Sequence, residues 1–270
     1  MSFDADPQKF AWDPQKYVQF GDFRNRPFFD LTARILAQNP RDVVDLGCGP
    51  GNLTATLATR WPEAEVEGVD SSASMIASAR RDHPAANLRF TERSIEEWAP
   101  GEQTDVVVSN AALQWVPSHR ELLKDWLPRL QPGAWFALQI PGNFGAPSHV
   151  LMRELAESEA WRSVTGGILR HTDAVSEPED YLALFLDAGM QADAWETTYQ
   201  QVLPGERAVV EWVRGTALRP VLNTLSPEQA EAFEDDYTRL LDEAYPVTDH
   251  GTVFPFRRIF VVGQKKGQKK

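Results

Sequence analysis

Apolar and polar positions follow two alternating periods through the first half of the chain. Short apolar runs at 42–46, 65–69, 87–90, 105–110 and 134–140 predict strands. Between them, apolar residues recur at three- and four-residue spacings over 53–60, 73–81 and 119–130, which predicts helices. A further helical pattern over 26–38 precedes the first strand. Val106-Val107-Val108 is unbroken by polar residues, as in a strand covered on both faces. Strands spaced by helices argue for βαβ units and a parallel sheet. Gln131-Pro132-Gly133 marks the loop ahead of the fifth strand.

After Pro141 the alternation stops. Residues 147–161 read as a helix, and 162–176, with Gly166-Gly167, as a mobile loop. A helix over 178–188 is closed by Gly189, and 192–202 reads as a long strand. Two helical patterns fill 205–245, the second opened by Ser226-Pro227-Glu228, where Ser226 suits an N-cap and Pro227 the first helical position. A last strand spans 257–262. The simplest arrangement is an α/β fold with a doubly wound, mostly parallel sheet of seven strands and a helical cap inserted late in the chain. Residues 1–25 form an arm, 26–145 the α/β core, 146–176 and 204–250 the cap. Residues 177–203 and 251–264 return to the core sheet, and 265–270 form a tail. The cap then covers the carboxyl ends of the strands, where open α/β sheets bind ligands.

The junction of the first strand and helix carries the most chemistry. Val43-Val44-Asp45-Leu46-Gly47-Cys48-Gly49-Pro50-Gly51-Asn52-Leu53-Thr54 is a buried strand, a turn with three glycines and a helix start. Glycines at alternate positions let the backbone pass close to a ligand, because no Cβ intervenes. The following helix offers unpaired N–H groups to an anionic group. Asp70 stands nineteen residues beyond Gly51, at the end of the apolar run 66–69, where a carboxylate can grip both hydroxyls of a ribose. A nucleoside-bearing cofactor is expected. The glycine spacing is G-x-G-x-G rather than the G-x-G-x-x-G of nicotinamide and flavin sites, and no G-x-x-x-x-G-K-[ST] run occurs.

Composition narrows the partners. The 270 residues fit one large domain or a domain with an insert, and 42% hydrophobic residues suffice for a sizeable core. A net charge of −12 opposes a nucleic-acid partner, which needs basic patches. Lys265, Lys266, Lys269 and Lys270 read as a solvated tail. The single cysteine, Cys48, excludes an intrachain disulfide and sits inside the glycine turn, a packing residue rather than a nucleophile. Five scattered histidines lack ligand spacing, so no metal is expected. No signal-peptide pattern and no apolar run of membrane-spanning length appear, so a soluble, cytoplasmic monomer is expected.

The turn Asp45-Leu46-Gly47-Cys48-Gly49-Pro50-Gly51 resembles motif I of class I methyltransferases, which use S-adenosylmethionine. A narrower likeness, to the bacterial trans-aconitate 2-methyltransferases, runs across nearly the whole chain. It is carried by Trp12-Asp13-Pro14 with Tyr17, Gly68-Val69-Asp70-Ser71-Ser72, Ser109-Asn110-Ala111-Ala112-Leu113-Gln114-Trp115 and Gln139-Ile140-Pro141. His149-Val150-Leu151-Met152-Arg153-Glu154, Trp212-Val213, Leu218-Arg219-Pro220 and Arg258-Ile259-Phe260 complete it. The resemblance implies methyl transfer to one carboxylate of a small polycarboxylic acid. It also implies cofactor contacts from Asp45, Gly47, Gly49, Gly51, Asp70, Ser71 and Asn110. In the family an Asp commonly follows strand 3 and meets the adenine amino group; here Ser94 stands there, followed by Ile95, with Glu96 and Glu97 as neighbours able to substitute.

Methyl transfer to an ionised carboxylate needs no general base at neutral pH, so positioning is the expected role of the protein. A polyanionic acceptor calls for arginine forks. Arg219 and Arg258 are the foremost candidates, with Arg24, Arg26 and His149 behind them; for His149, packing at a helix start is the competing role. Gln114 is placed to hydrogen-bond the accepting carboxylate and Trp115 to wall the pocket, against plain loop packing. Trp12 and Tyr17 either close over the cofactor or anchor the arm. Two other functions compete with a trans-aconitate-type enzyme. One is a carboxyl methyltransferase for malonyl groups on a carrier protein, which would want a basic docking surface. The other is a non-catalytic S-adenosylmethionine-binding module, which would need no anion pocket.

Overall fold

The computed structural model describes residues 21–169 and 175–267. The described chain starts with α1 (Gly21–Thr32) and continues through β1 (Asp42–Leu46), α2 (Asn52–Arg60), β2 (Glu65–Asp70), α3 (Ala73–Asp82), β3 (Leu88–Glu92), β4 (Thr104–Asn110), α4 (His119–Arg129) and β5 (Trp135–Pro141). The second half forms α5 (Pro147–Ala156), α6 (Arg162–Thr165), α7 (Pro178–Asp187), β6 (Met190–Leu203), α8 (Ala208–Arg214), α9 (Arg219–Leu222), α10 (Pro227–Ala244), β7 (Val247–Thr248) and β8 (Gly251–Lys265).

The strands lie in the order β3-β2-β1-β4-β5-β8-β6, with the two-residue β7 paired to β8 off this path. The first five are parallel, and β8 runs antiparallel between β5 and β6. Successive strands step outward from β1 in both directions, so the reversal falls between β1 and β4, the crevice position of a doubly wound sheet. Buried clusters cover both faces. Trp126, Phe136, Leu138, Ile140, Tyr181 and Phe185 pack on one. Phe28, Leu31, Leu57, Val106, Val108 and Phe260 pack on the other. The valines of β4 divide between these two clusters, which is why that strand is an unbroken apolar run.

The cap has its own core, built by Met152, Trp212, Phe233, Tyr237, Phe254 and Phe256. Strand β8 belongs to both units. Its pairing with β5 starts at Arg258 opposite Pro141, whereas its pairing with β6 extends back to Thr252 opposite Leu203. The half before Arg258 carries aromatics into the cap, and the half after it completes the core sheet. Arg258 thus sits where cap meets core.

Several expected boundaries shift. Helix α1 begins at Gly21 rather than 26 and ends at Thr32. Pro27, expected near the helix start, lies inside it, and the expected arm–core boundary at residue 25 falls within this helix. Helix α5 stops at Ala156, and the expected loop after it contains α6, which Thr165 ties back through its hydroxyl to the Ala156 and Trp161 carbonyls at 2.8 and 3.0 Å. Residues 205–245 hold three helices, not two. Lys265 is not part of a solvated tail. It ends β8, and its Nζ donates to the carbonyls of Leu127, Pro128 and Ala188 at 3.1, 3.3 and 2.6 Å. A cation there satisfies open carbonyls at the ends of α4 and α7 and opposes their dipoles.

Candidate active site

The glycine turn sits on the switch point. Gly47, Gly49 and Gly51 take φ of 81°, 55° and 82°, a region L side chains avoid. A Cβ on Gly47 would lie 2.2 Å from the Cβ of Ala112, and one on Gly51 2.6 Å from the Phe90 ring. A Cβ on Gly49 would meet nothing within 4 Å. Two glycines therefore let the turn sit down on the fold, and the middle one leaves its outer side open to a ligand.

Strand β2 holds the turn. The Gly47 and Cys48 amides donate to the Val69 carbonyl at 2.8 and 3.0 Å. The Gly49 amide donates to Asp70 Oδ2 at 2.9 Å, and the Ser72 amide to Asp70 Oδ1 at 2.8 Å. Burial pushes the Asp70 carboxyl upward, against these two bonds. Each carboxylate oxygen keeps a second lone pair for a hydroxyl. Ser71 beside it is exposed. Asp45 lies behind the turn, 3 % exposed, and accepts a 2.6 Å hydrogen bond from Thr54 Oγ1. Burial raises its pKa to about 7, with the Thr54 bond opposing and the Asp70 charge adding. Cys48 packs against Ile76, Ala79 and Phe90, and burial pushes its thiol up. Ser94 caps the short 3-10 turn Ile95–Glu97, and Ile95 Cδ1 comes within 3.6 Å of the Cβ position of Gly47. Asn110 ends β4 half-buried, beside Gln139 of β5. Trp12 and Tyr17 lie outside the described residues.

The loop after β4 joins this turn to a cavity of about 160 Å³. Ala112 packs on Gly47, and its neighbour Ala111 lines the cavity. Ala111 has φ 54°, a strained conformation for a residue with a Cβ. It is held there by its amide donating to the Gln139 carbonyl at 2.9 Å and by Gln114 Nε2 donating to its own carbonyl at 2.6 Å. Gln114 lines the cavity and also braces the bend that shapes it. Trp115 lines the same space, 40 % exposed.

Among the described residues, three arginines line the cavity: Arg24 from α1, Arg153 from α5 and Arg258 from β8. Arg258 is 4 % exposed, stacks 4.3 Å from the Phe256 ring and donates from Nη1 to Gln139 Oε1 at 3.4 Å. Arg24 lies 4.9 Å from the Trp212 ring and donates to the Trp212 carbonyl at 3.1 Å. Arg153 donates to the Phe144 carbonyl at 2.8 Å. Aromatic faces and carbonyls hold the guanidinium groups, and among the described residues no acid side chain lines the cavity. His149 is also there, its Nδ1 3.2 Å from Ser148 Oγ. Burial, then the Arg153 charge, lowers its pKa to about 4.

Of the arginines lining the cavity, Arg258 and Arg24 were expected there and Arg153 was not. Arg219 begins α9 and is not among the lining residues, although Pro220 is. Arg26 points away, 3.7 Å from Asp30 and 4.9 Å from the Tyr199 ring. Arg153, Asn143, Phe144, Met152, Trp212 and Phe256 line the cavity without having been singled out for it. Arg153, Met152 and Trp212 lay inside the motifs that carried the resemblance. Asn143 had one local signal, its place just beyond the carboxyl end of a strand.

A doubly wound sheet with a glycine turn and acid at its switch point, and a cap over the strand ends, defines a class I methyltransferase fold. The methyltransferase domain family model matches residues 20–191. Phosphoethanolamine N-methyltransferase 2 from Haemonchus contortus, solved with S-adenosyl-L-methionine, shares the fold at a TM-score of 0.52 and 17% identity, over 94% of this chain and 59% of that one. The trans-aconitate 2-methyltransferase of Rhodococcus jostii is 54% identical over 94% of this chain and 99% of its own. That of Streptomyces coelicolor is 52% identical over 94% and 87%. The chain belongs to the trans-aconitate 2-methyltransferase family within the methyltransferase domain family, and it is a methyltransferase. Among its described residues no helix is long and apolar enough to cross a membrane.

Proposed function

We propose that this enzyme transfers a methyl group to one carboxylate of trans-aconitate or a closely similar polycarboxylate, forming a monomethyl ester. The observation that carries this is the set of Arg24, Arg153 and Arg258 around one cavity in a chain of net charge −12. A protein this acidic that gathers three guanidinium groups around one cavity is suited to a polyanion. The names of its relatives agree.

Asp70, Ser71, Ile95 and Asn110, with the glycine turn, would hold S-adenosylmethionine, which would supply an electrophilic methyl group. Asp45 and Thr54 support the turn from behind. Across the Ala111–Ala112 loop, the arginines bind and orient the acid by paired hydrogen bonds. Trp115, Trp212 and Phe256 exclude water. The acceptor is already ionised at neutral pH, so no side chain has to take a proton. Opposite charges on donor and acceptor are lost together, and a site of low polarity favours that change. The same reading has the enzyme work as a cytoplasmic monomer without a nucleic-acid partner, in keeping with its net charge and single buried cysteine.

The test is incubation with methyl-labelled S-adenosylmethionine and separate di- and tricarboxylic acids. Base-labile label on trans-aconitate, lost in Arg258→Ala while affinity for S-adenosylhomocysteine persists, is the expected result. Label on none of the acids would refute the acceptor class.

A further inference from the structure

Asn143 is the polar group of the cavity whose chemistry the arginines leave unexplained. It lies two residues past β5 and is 2 % exposed in the cavity wall. Among the described residues, neither its Nδ2 nor its Oδ1 has a hydrogen-bond partner. A buried carboxamide open at both ends is costly, and native folds rarely keep one without use. The backbone around it is fixed: the Gly142 amide donates to the Arg257 carbonyl, and the Ala146 amide to the Asn143 carbonyl, each at 2.9 Å. A tight turn holds the Asn143 backbone at the wall.

We propose that Asn143 is the neutral donor that holds the methyl-accepting carboxylate, while the arginines grip the carboxylates that keep their charge. This rests on the cavity being the acceptor site. The accepting oxygen passes from anion to ester as a methyl–sulfur bond is exchanged for a methyl–oxygen bond. The electron pair of the broken bond stays on sulfur, and no proton moves. An arginine on that oxygen would bind the charged ground state more tightly than the transition state, which raises the barrier. An amide N–H bonds to a carboxylate and to an ester carbonyl alike, so it positions the nucleophile without that penalty. The topology agrees. The strand order β4-β5-β8 puts the residue after β5 between the Ala111 loop, on the cofactor side, and Arg258 on β8.

The test compares the full-length chain with Asn143→Ala and Asn143→Asp. The readouts are kcat and KM for trans-aconitate, calorimetric affinities for the acid and its monomethyl ester without cofactor, and the melting temperature. Asn143→Ala removes no hydrogen bond among the described residues, so its melting temperature should stay near that of the parent. Its kcat should fall about 100-fold from a misplaced nucleophile, with KM and both affinities within about threefold. Asn143→Asp sets a carboxylate against a carboxylate and should weaken the acid at least about tenfold more than the ester. If the aspartate variant weakens acid and ester equally, and the alanine variant raises KM with kcat intact, the amide meets a retained carboxylate and the assignment is overturned. Parent-like behaviour of both variants overturns it too. Failure of the parent chain to bind any of these acids or form an ester would remove the acceptor reading itself, and with it this role.

Discussion

The two halves of the active site are made in different ways. The turn at Gly47–Gly51 is one contiguous stretch, and what it offers a ligand is mostly backbone: positive φ angles, amides, and a space where a Cβ would stand. The proposed acceptor cavity is assembled from α1, the ends of β4 and β5, α5, α8 and β8, and what it offers a ligand is side chains. A backbone-built site is intolerant of change and can be read locally, because glycine is nearly the only residue for such conformations. A site made of side chains depends on where distant elements come to rest, and one arginine can replace another from a different element. The turn should therefore break by substitution at single atoms, and the cavity by loss of charge.

Gly47→Ala should produce the largest effect. The new methyl would lie 2.2 Å from Ala112 Cβ, at a φ of 81°. The left-handed backbone costs about 1–2 kcal/mol, and overpacking about 1–3 kcal/mol more. Denaturant unfolding should show a loss of about 2–5 kcal/mol, with S-adenosylhomocysteine binding lost in calorimetry. Because Ala112 leads into the cavity loop, acid affinity should fall as well. A variant with parent stability and binding would mean that the turn yields easily, and the contrast with the cavity would disappear.

Arg258→Ala should follow. The side chain is 4 % exposed, and its loss leaves Gln139 Oε1 without its guanidinium. Removing a buried cation from an anion site costs about 2–4 kcal/mol, so kcat/KM for a tricarboxylate should fall about 30- to 1000-fold. Affinity for S-adenosylhomocysteine should not change. Equal losses for both ligands would show that turn and cavity are one coupled unit.

Much of this was legible in the chain. The five parallel strands lie within about two residues of their apolar runs, because strands covered on both faces need continuous apolar sequence. The turn and Asp70 followed from spacing. The last strand was expected at 257–262 and spans Gly251–Lys265. Its first half contains Pro255, which argues against a strand with neighbours on both sides. The structure resolves this: β8 pairs with β5 only from Arg258 onward, so at Pro255, opposite Gln200 of β6, no β5 partner needs its missing N–H. The arginines were harder. Arg24 rides on a helix that begins five residues earlier than its pattern suggested, and Arg153 reaches the cavity only because α5 packs on α10 in the cap. No spacing rule encodes those placements. Arg153 left its only trace in a motif that carried the family resemblance, whereas Arg24 stood outside those motifs and was expected only as a lesser cation.

Asp45→Asn tests the floor of the turn. Burial, then the Thr54 bond and the Asp70 charge, place the Asp45 pKa at about 7, against an ordinary 3.8. Between about pH 4 and 7 the folded protein therefore holds a proton at Asp45 that the unfolded chain has released. Stability from this group is full below pH 4 and declines as pH rises to 7, by at most about 1.4 kcal/mol per pH unit. His149 works in the opposite direction over most of this window, because its pKa is depressed from the ordinary 6.5 to about 4. The Asp45→Asn variant should lose the declining component, so its melting temperature relative to the parent should increase steadily from pH 4 to 7. A constant difference across that range would show that Asp45 titrates normally despite its burial.

Arg219→Ala should have the smallest effect, and it most directly separates charge from position. Arg219 lies in a motif that carried the family resemblance and begins α9, yet it is its neighbour Pro220 that lines the cavity. If the cavity binds its acid through the guanidinium groups that face it, removing a half-buried one outside the lining changes KM by no more than about threefold, with kcat and S-adenosylhomocysteine affinity unaffected. A raised ionic strength in the assay should shrink even that difference, since only long-range attraction would remain. A loss as large as that of Arg258→Ala, insensitive to salt, would mean that Arg219 enters the cavity when the acid binds. The cap would then have to move around α9, and the acceptor site would be completed by its ligand rather than built in advance.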